Sequence, residues 1–344
     1  MPDLADPSPD FEFTFLLCSE RSGSNLITSV MNGHPCVSGP PPSHLFRLFG
    51  LNADRYWPTI EASNFAALTT DFADAHATML GEWHTRVTVN ELRTCSPDRG
   101  IAGLLDHVYR KEAAVDRAST SFVKENYTYR IVPFLLANWP TARFVHQVRD
   151  PRDVAASYLR TASIPGGVEA AVDRWIQDQE GTLAVFSQIR SSGRAMRVRY
   201  EDLVTQPEAT TRALCHALHL PPADDMMSFH TDPRTRRNAD RVDAWTNLSR
   251  PVMRENVGKY TEVLADADLR YVEIATAELM PVFGYAPVTA VADLSPSDRG
   301  EALRELLPHL SRAPDLRITT SAEARTRRER QHVIERVLAR EPKP

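Results

Sequence analysis

Two short segments hold residue types in spacings that suit an anion. The first is Arg21-Ser22-Gly23-Ser24-Asn25. It follows Phe11 to Leu17, which alternates and then turns wholly apolar, and precedes Leu26, Ile27, Val30 and Met31, which fall on one face of a helix. A loop between a buried strand and a helix start offers unpaired backbone N–H groups and a partial positive charge, suited to phosphate. Gly23 permits close approach and unusual φ. Ser22 and Ser24 offer hydroxyls, and Arg21 a forked cation. The Walker A pattern GxxxxGK(S/T) is absent. The plainer alternative is a serine that only caps a helix. The second segment runs from Val148 through Arg149-Asp150-Pro151-Arg152-Asp153 to Ser157-Tyr158. Asp150-Pro151 predicts a helix start, with Asp as cap and Pro in the first turn. Ser157 lies about 10 Å along that helix, at ~1.5 Å per residue. Arg149 can lean toward it, and the pair can hold one phosphate. The alternative is an Arg–Asp surface network with Ser157 merely packed.

Both segments need elements to place them. Strand patterns occur at 11–17, 121–123, 143–148 and 195–200, and helical patterns at about 101–117, 151–161, 167–190 and 207–219. Such alternation predicts a three-layer, doubly wound parallel α/β sheet. Ligands in that fold bind beyond the carboxyl ends of the strands, where both segments lie. Residues 50–120 carry little strand signal but hold Tyr56, Trp57, Phe65, Phe72 and Trp83, which serve either a core or an apolar partner molecule. Residues 230–258 are polar and Arg-rich and read as an ordered loop or lid. After Tyr285 a linker leads to a charged tail, where Thr320 and Glu323 form a capping-box pattern before a basic helix over 321–340. That helix reads as a solvated or packing helix.

The chain has 344 residues, enough for one large domain or two smaller ones, and 42% hydrophobic residues can supply a core. A net charge of −5 disfavours non-specific nucleic-acid binding. Only Lys111, Lys124, Lys259 and Lys343 are lysines, so Lys124 and Lys259 stand out among many arginines. Cys18, Cys36, Cys95 and Cys215 show no metal spacing, and no acidic metal cluster is evident. No apolar run is long enough to span a membrane, and the first ten residues do not resemble a signal peptide. The expectation is a soluble, cytoplasmic protein with no metal.

Taken together, these residues resemble the sulfotransferases that use 3′-phosphoadenosine 5′-phosphosulfate (PAPS). Arg21 to Ser24 resembles the family's P-loop-like phosphosulfate loop, and Arg149 to Tyr158 its 3′-phosphate motif. His34-Pro35, Phe122-Val123-Lys124-Glu125, Arg199-Tyr200-Glu201-Asp202-Leu203, Pro207-Glu208, Val257-Gly258-Lys259-Tyr260 and Phe283-Gly284-Tyr285 follow in the family's order. The resemblance spans about 12–285. It implies a sulfotransferase domain over 1–285, with 286–344 as linker and charged helical tail outside the nucleotide site. It implies that Arg21, Ser22, Gly23, Ser24 and Asn25 cradle the 5′-phosphosulfate, and that Arg149 and Ser157 hold the 3′-phosphate. Tyr200 and Lys259 would add contacts to the same nucleotide, and Lys124 would stabilise the transferring group. Two departures stand out. Asn25 replaces a more usual Thr, and Pro42 stands where related polyketide-associated enzymes carry Glu. The acceptor hydroxyl still needs a base, and His44 suits that role. Glu82, His84 and Glu91 are the alternatives. The expected activity is sulfuryl transfer from PAPS to a hydroxyl of a small, lipid-like or polyketide-like acceptor, with a homo-oligomer left open. The competing readings are a catalytically altered PAPS-binding protein and, against the missing Walker lysine, a nucleotide-dependent phosphotransferase.

Overall fold

Alternating side chains along the first strand point to opposite faces, and both faces are buried. A computed structural model describes residues 11–161, 164–312 and 321–342. Strand β1 (Glu12–Cys18) sends Phe13, Phe15 and Leu17 into one apolar cluster and Leu16 and Cys18 into another. A strand covered on both sides belongs in a parallel sheet between helical layers. β2 (Val37–Ser38), β3 (Thr120–Lys124), β4 (Arg143–Val148) and β5 (Ala195–Arg199) complete a five-stranded sheet in the order β2-β3-β1-β4-β5. All neighbours are parallel, with Leu16 opposite Lys124 and Cys18 opposite Gln147. The four strands expected from the sequence form; two-residue β2 gave no pattern to read.

The strand order reverses direction around β1. The chain fills positions on the β3 side first and then crosses to β4 and β5. The carboxyl edge between β3, β1 and β4 is therefore the topological switch point. Three loops meet there: Ser19–Gly23 after β1, Glu125-Asn126 after β3, and Arg149-Asp150 after β4.

The stretch 50–120 is helical, with helix Gly100–Val115 close to its expected span. α1 (Ser24–Asn32) and α2 (Leu45–Gly50) precede it, and α3 (Ala62–Ala77) opens it. Tyr56, Phe65, Phe72 and Trp83 belong to the main core, so they are not an acceptor surface. Trp57 alone of that group is exposed. Residues 230–258 carry short helices rather than a plain loop. Helix Pro233–Arg241 starts on Asp232, whose carboxylate accepts from Thr235 N at 2.7 Å. Its Arg234 is buried in an ion pair with Glu112 at 2.9 Å.

The C-terminal helix Ser321–Leu338 lies where a basic helix was expected, and Thr320 falls outside the described residues. It is a packing helix. Val333 and Val337 are buried in the main core against α3. Arg336 pairs with Asp71 at 2.7 Å and Asp74 at 2.6 Å, and Arg340 pairs with Asp71 at 2.6 Å. Among the described residues, no helix is long and apolar enough to cross a membrane.

Candidate active site

The three switch-point loops open onto a cavity of about 790 Å³, a size typical of ligand pockets. Its first wall is the turn into α1. Gly23 has φ +83°, and a Cβ there would sit 2.3 Å from Tyr200 Cδ2. Glycine is needed twice over, for the left-handed backbone and for the ring beside it. Gly23 takes the cap position of α1 with no side-chain cap, so neither serine serves as one. Ser24 and Asn25 border the cavity. Ser22 does not offer its hydroxyl: it is buried and donates to Ser19 O at 2.7 Å. A tight turn needs its own carbonyls satisfied, and Ser22 serves that need.

Two guanidinium groups converge beyond this turn. Arg21 Nε donates to Ser157 Oγ at 3.0 Å. Arg149 donates to Arg21 O at 3.1 Å and to Asn256 O at 2.9 Å. Ser157 is thus tied to Arg21 rather than to Arg149, and all three line one cavity. Tyr200 lies flat beneath Arg149, with 4.2 Å from guanidinium carbon to ring centre. Arg149 Nε is buried with no hydrogen-bond partner among the described residues. Burial, and then the charge of Arg149, push the Arg21 pKa down. Asp150 caps the helix Pro151–Arg160 as expected, accepting from Arg152 N. Asp153 accepts from Gly258 N at 2.9 Å and Tyr260 N at 3.0 Å, which holds Lys259 at the rim.

Lys124 arrives from the end of β3. It is buried, and that burial pushes its pKa down. Its Nζ donates to Asn126 Oδ1 at 3.0 Å, and Asn126 Nδ2 donates to Glu20 Oε1 at 2.7 Å. Tyr158 OH donates to the other Glu20 oxygen at 3.1 Å. Sequence reading missed Glu20 and Asn126 in this wall. Glu20 sits directly before Arg21, so its adjacency was the available signal.

His44 lines the same cavity, following Pro42. Its backbone is left-handed, with φ +59°. Nδ1 is buried with no hydrogen-bond partner among the described residues. Enclosure by protein, then Arg47, Arg330, Lys124 and Arg327, hold the imidazole pKa well below its usual value. The ring is therefore neutral near pH 7, and burial and the surrounding cations oppose its protonation. The alternative bases lie elsewhere. None of Glu82, His84 and Glu91 borders the cavity. Each is engaged outside it: Glu82 with Arg237 at 3.0 Å, His84 with Asp116 at 3.3 Å, and Glu91 with Lys111 at 2.7 Å. Leu80, Val242, Trp245, Leu248 and Met253 form an apolar wall, and Arg327 of the C-terminal helix closes the side near His44.

Comparison with known proteins bears on the family and the fold. The sequence profile described as the Sulfotransferase family matches residues 14–225. Carbohydrate sulfotransferase 7 of Mus musculus is 32% identical over 154 residues, which is 44% of this chain and 30% of that protein. The chain therefore spans less than a third of that relative's length. Among solved structures, the sulfotransferase domain of the Synechococcus PCC 7002 olefin synthase superposes with a TM-score of 0.55 at 20% identity, covering 82% of this chain and 98% of that one. The sulfotransferase domain from the curacin biosynthetic pathway gives 0.55 at 18% identity, covering 80% and 98%. These likenesses establish a shared fold. The profile covers more than half of the chain, and on that ground the chain belongs to the sulfotransferase family.

Proposed function

We propose that the chain transfers the sulfuryl group of PAPS to a hydroxyl of a small-molecule acceptor. The observation that carries this reading is the pair Arg21 and Arg149. Two guanidinium groups share one cavity, the pKa of the first lowered by burial and then by the charge of the second, and the second holds a buried N–H without a partner among the described residues. Like charges brought together in a low dielectric repel, and an anion between them relieves that cost. The amides at the start of α1, with Ser24 and Asn25, suit the 5′-phosphosulfate. Arg149, with Ser157 and Lys259 nearby, suits the 3′-phosphate. Tyr200 is left to fix the Arg149 plane and the Gly23 turn.

Bound PAPS supplies an activated sulfuryl group. Arg21 and Lys124 stabilise the charge that spreads over its oxygens in transfer. His44 takes the proton of the acceptor hydroxyl. A polyanion in the cavity opposes the cations around His44 and raises its basicity toward the working range. The apolar wall at Leu80 and Trp245 favours an acceptor with a hydrophobic body. Turnover of PAPS with 1-octanol, 2-naphthol and N-acetylglucosamine, read by mass spectrometry, tests the reading. Sulfated product is expected, and H44A and H44Q should lower kcat by about 10²–10⁴ while sparing nucleotide affinity. Binding of PAPS without transfer to this or a wider panel would favour a non-catalytic PAPS-binding protein. Wild-type turnover in H44A would move the base elsewhere, with Glu20 the next carboxylate at the cavity.

A further inference from the structure

Among the described residues, no side chain hydrogen-bonds Nδ1 of the His44 ring. A base usually takes its aim from a hydrogen bond to its second nitrogen, and here Nδ1 has none among the described residues. Aim must then come from the backbone. That backbone is held in a left-handed conformation at φ +59°, which a non-glycine residue keeps only where its surroundings impose it.

Two buried charged side chains hold the backbone on either side of His44. Glu125, directly after Lys124, accepts from Phe46 N at 3.1 Å and Arg47 N at 2.6 Å, two and three residues after His44, while Leu45 N donates to Ser43 Oγ at 3.1 Å. Glu125 also accepts from Ser43 Oγ at 3.1 Å. On the preceding side, the Ser43 carbonyl accepts from Arg330 Nη2. Arg330 is 9% exposed, and its Nη1 donates to Ala75 O at 3.1 Å, at the end of α3. Arg330 comes from the C-terminal helix, whose docking rests separately on Val333, Val337 and the pairs to Asp71. Arg330 shares in that docking through Ala75, but its second arm reaches past α3 to the Ser43 carbonyl. Its aim at the peptide before His44 points to a local role.

We propose that Arg330 is a positioning residue for His44, fixing the Ser43–His44 peptide so that the imidazole faces the acceptor hydroxyl beside Lys124. The inference rests on His44 as the base. It makes the last helix, which lies beyond the segment matched by the family profile, a working part of the acceptor side of the site.

The test uses the full chain, with PAPS saturating and the best acceptor of the panel above. R330M should lower kcat by about 10–100-fold, the scale of a misplacement near 1 Å. Acceptor KM and affinity for 3′-phosphoadenosine 5′-phosphate should change by less than about threefold, since neither contact is lost. R330K should recover most of the loss. D71N, which removes one anchor of the helix without touching Ser43, should leave kcat near wild type when assayed well below its melting temperature, where the helix stays docked through Val333 and Val337. H44A and R330M together should be no slower than H44A alone. If the panel gives no turnover, the His44 ring signals, assigned by H44Q, are read by NMR with bound 3′-phosphoadenosine 5′-phosphate; they should move in R330M and not in D71N. A folded R330M with wild-type kcat or unmoved ring signals overturns the proposal, as does an additive double variant. R330Q replaces R330M if that variant does not fold. Failure of both to fold assigns Arg330 to stability and also overturns it. An active H44A marks the separate failure of the base reading.

Discussion

At the scale of residues, the same chemical type plays opposite roles two positions apart. Ser22 closes its own turn, while Ser24 and Asn25 face the cavity. Gly23 between them is fixed by φ +83° and by Tyr200. A left-handed non-glycine costs about 1–2 kcal/mol before any clash is counted. G23A should therefore lower the melting temperature and weaken PAPS binding together, and calorimetry of both reads this. Arg149 makes a sharper case. R149A should weaken 3′-phosphoadenosine 5′-phosphate by roughly 10–100-fold, the range for losing a charge-assisted pair of about 1.5–3 kcal/mol. Adenosine 5′-phosphosulfate, which lacks the 3′-phosphate, should bind almost as before. Equal losses for the two nucleotides would remove Arg149 from the 3′-phosphate.

Elements were readable from the sequence where their pattern is local. β1, β4 and the helix after Asp150-Pro151 lie close to their expected spans because alternation, caps and helical periodicity act over a few residues. The phosphate-facing part of the site inherits that legibility, since strand ends and helix starts define it. The acceptor side was not legible. Ser43 meets Arg330 across 287 positions and Arg234 meets Glu112 across 122, and no short-range pattern announces either pair. Basic spacing in the C-terminal helix is compatible with both a solvated and a docked face, and only packing decides. Asp71 tests the docked face. It is fully buried and accepts from Tyr56 OH at 2.8 Å as well as from Arg336 and Arg340. D71N should cost up to about 3 kcal/mol, the low end for a broken buried pair because both arginines reach solvent. Melting curves of wild type and D71N should differ by several degrees, and coincident curves would mean the ion pairs do not hold the helix.

For the whole molecule, one line of polar groups runs from the sheet to the Ser19–Gly23 loop. Arg197 on β5 donates to His146 Nδ1 at 3.2 Å, so the ring's proton sits on Nε2 and is donated to Gln179 Oε1 at 2.8 Å. Gln179 Nε2 in turn donates to Ser19 Oγ at 2.9 Å, at the start of the loop that ends in Gly23. Burial first, with the Arg197 charge adding to it, pushes the His146 pKa down to about 3 from an ordinary 6.5. The sign of the consequence is fixed by proton binding. Above pH 6.5 the ring is neutral whether the chain is folded or not, and it adds no pH dependence. Below that value the unfolded chain binds a proton that the folded chain refuses down to about pH 3. Stability therefore falls as pH drops through this window, by at most about 1.4 kcal/mol per pH unit for one group. His76, with its pKa pushed down to about 4 mainly by burial, acts in the same direction. H146Q removes one of the two protons. Its melting temperature should lie below wild type at pH 7, where a hydrogen-bonded core residue has been exchanged, and the gap should narrow steadily toward pH 4. Melting curves for both proteins over pH 4–8 measure that gap. A gap of constant size would show that folded His146 takes up its proton as readily as the unfolded chain does, and would remove the sheet-to-loop line from the acid response of the molecule.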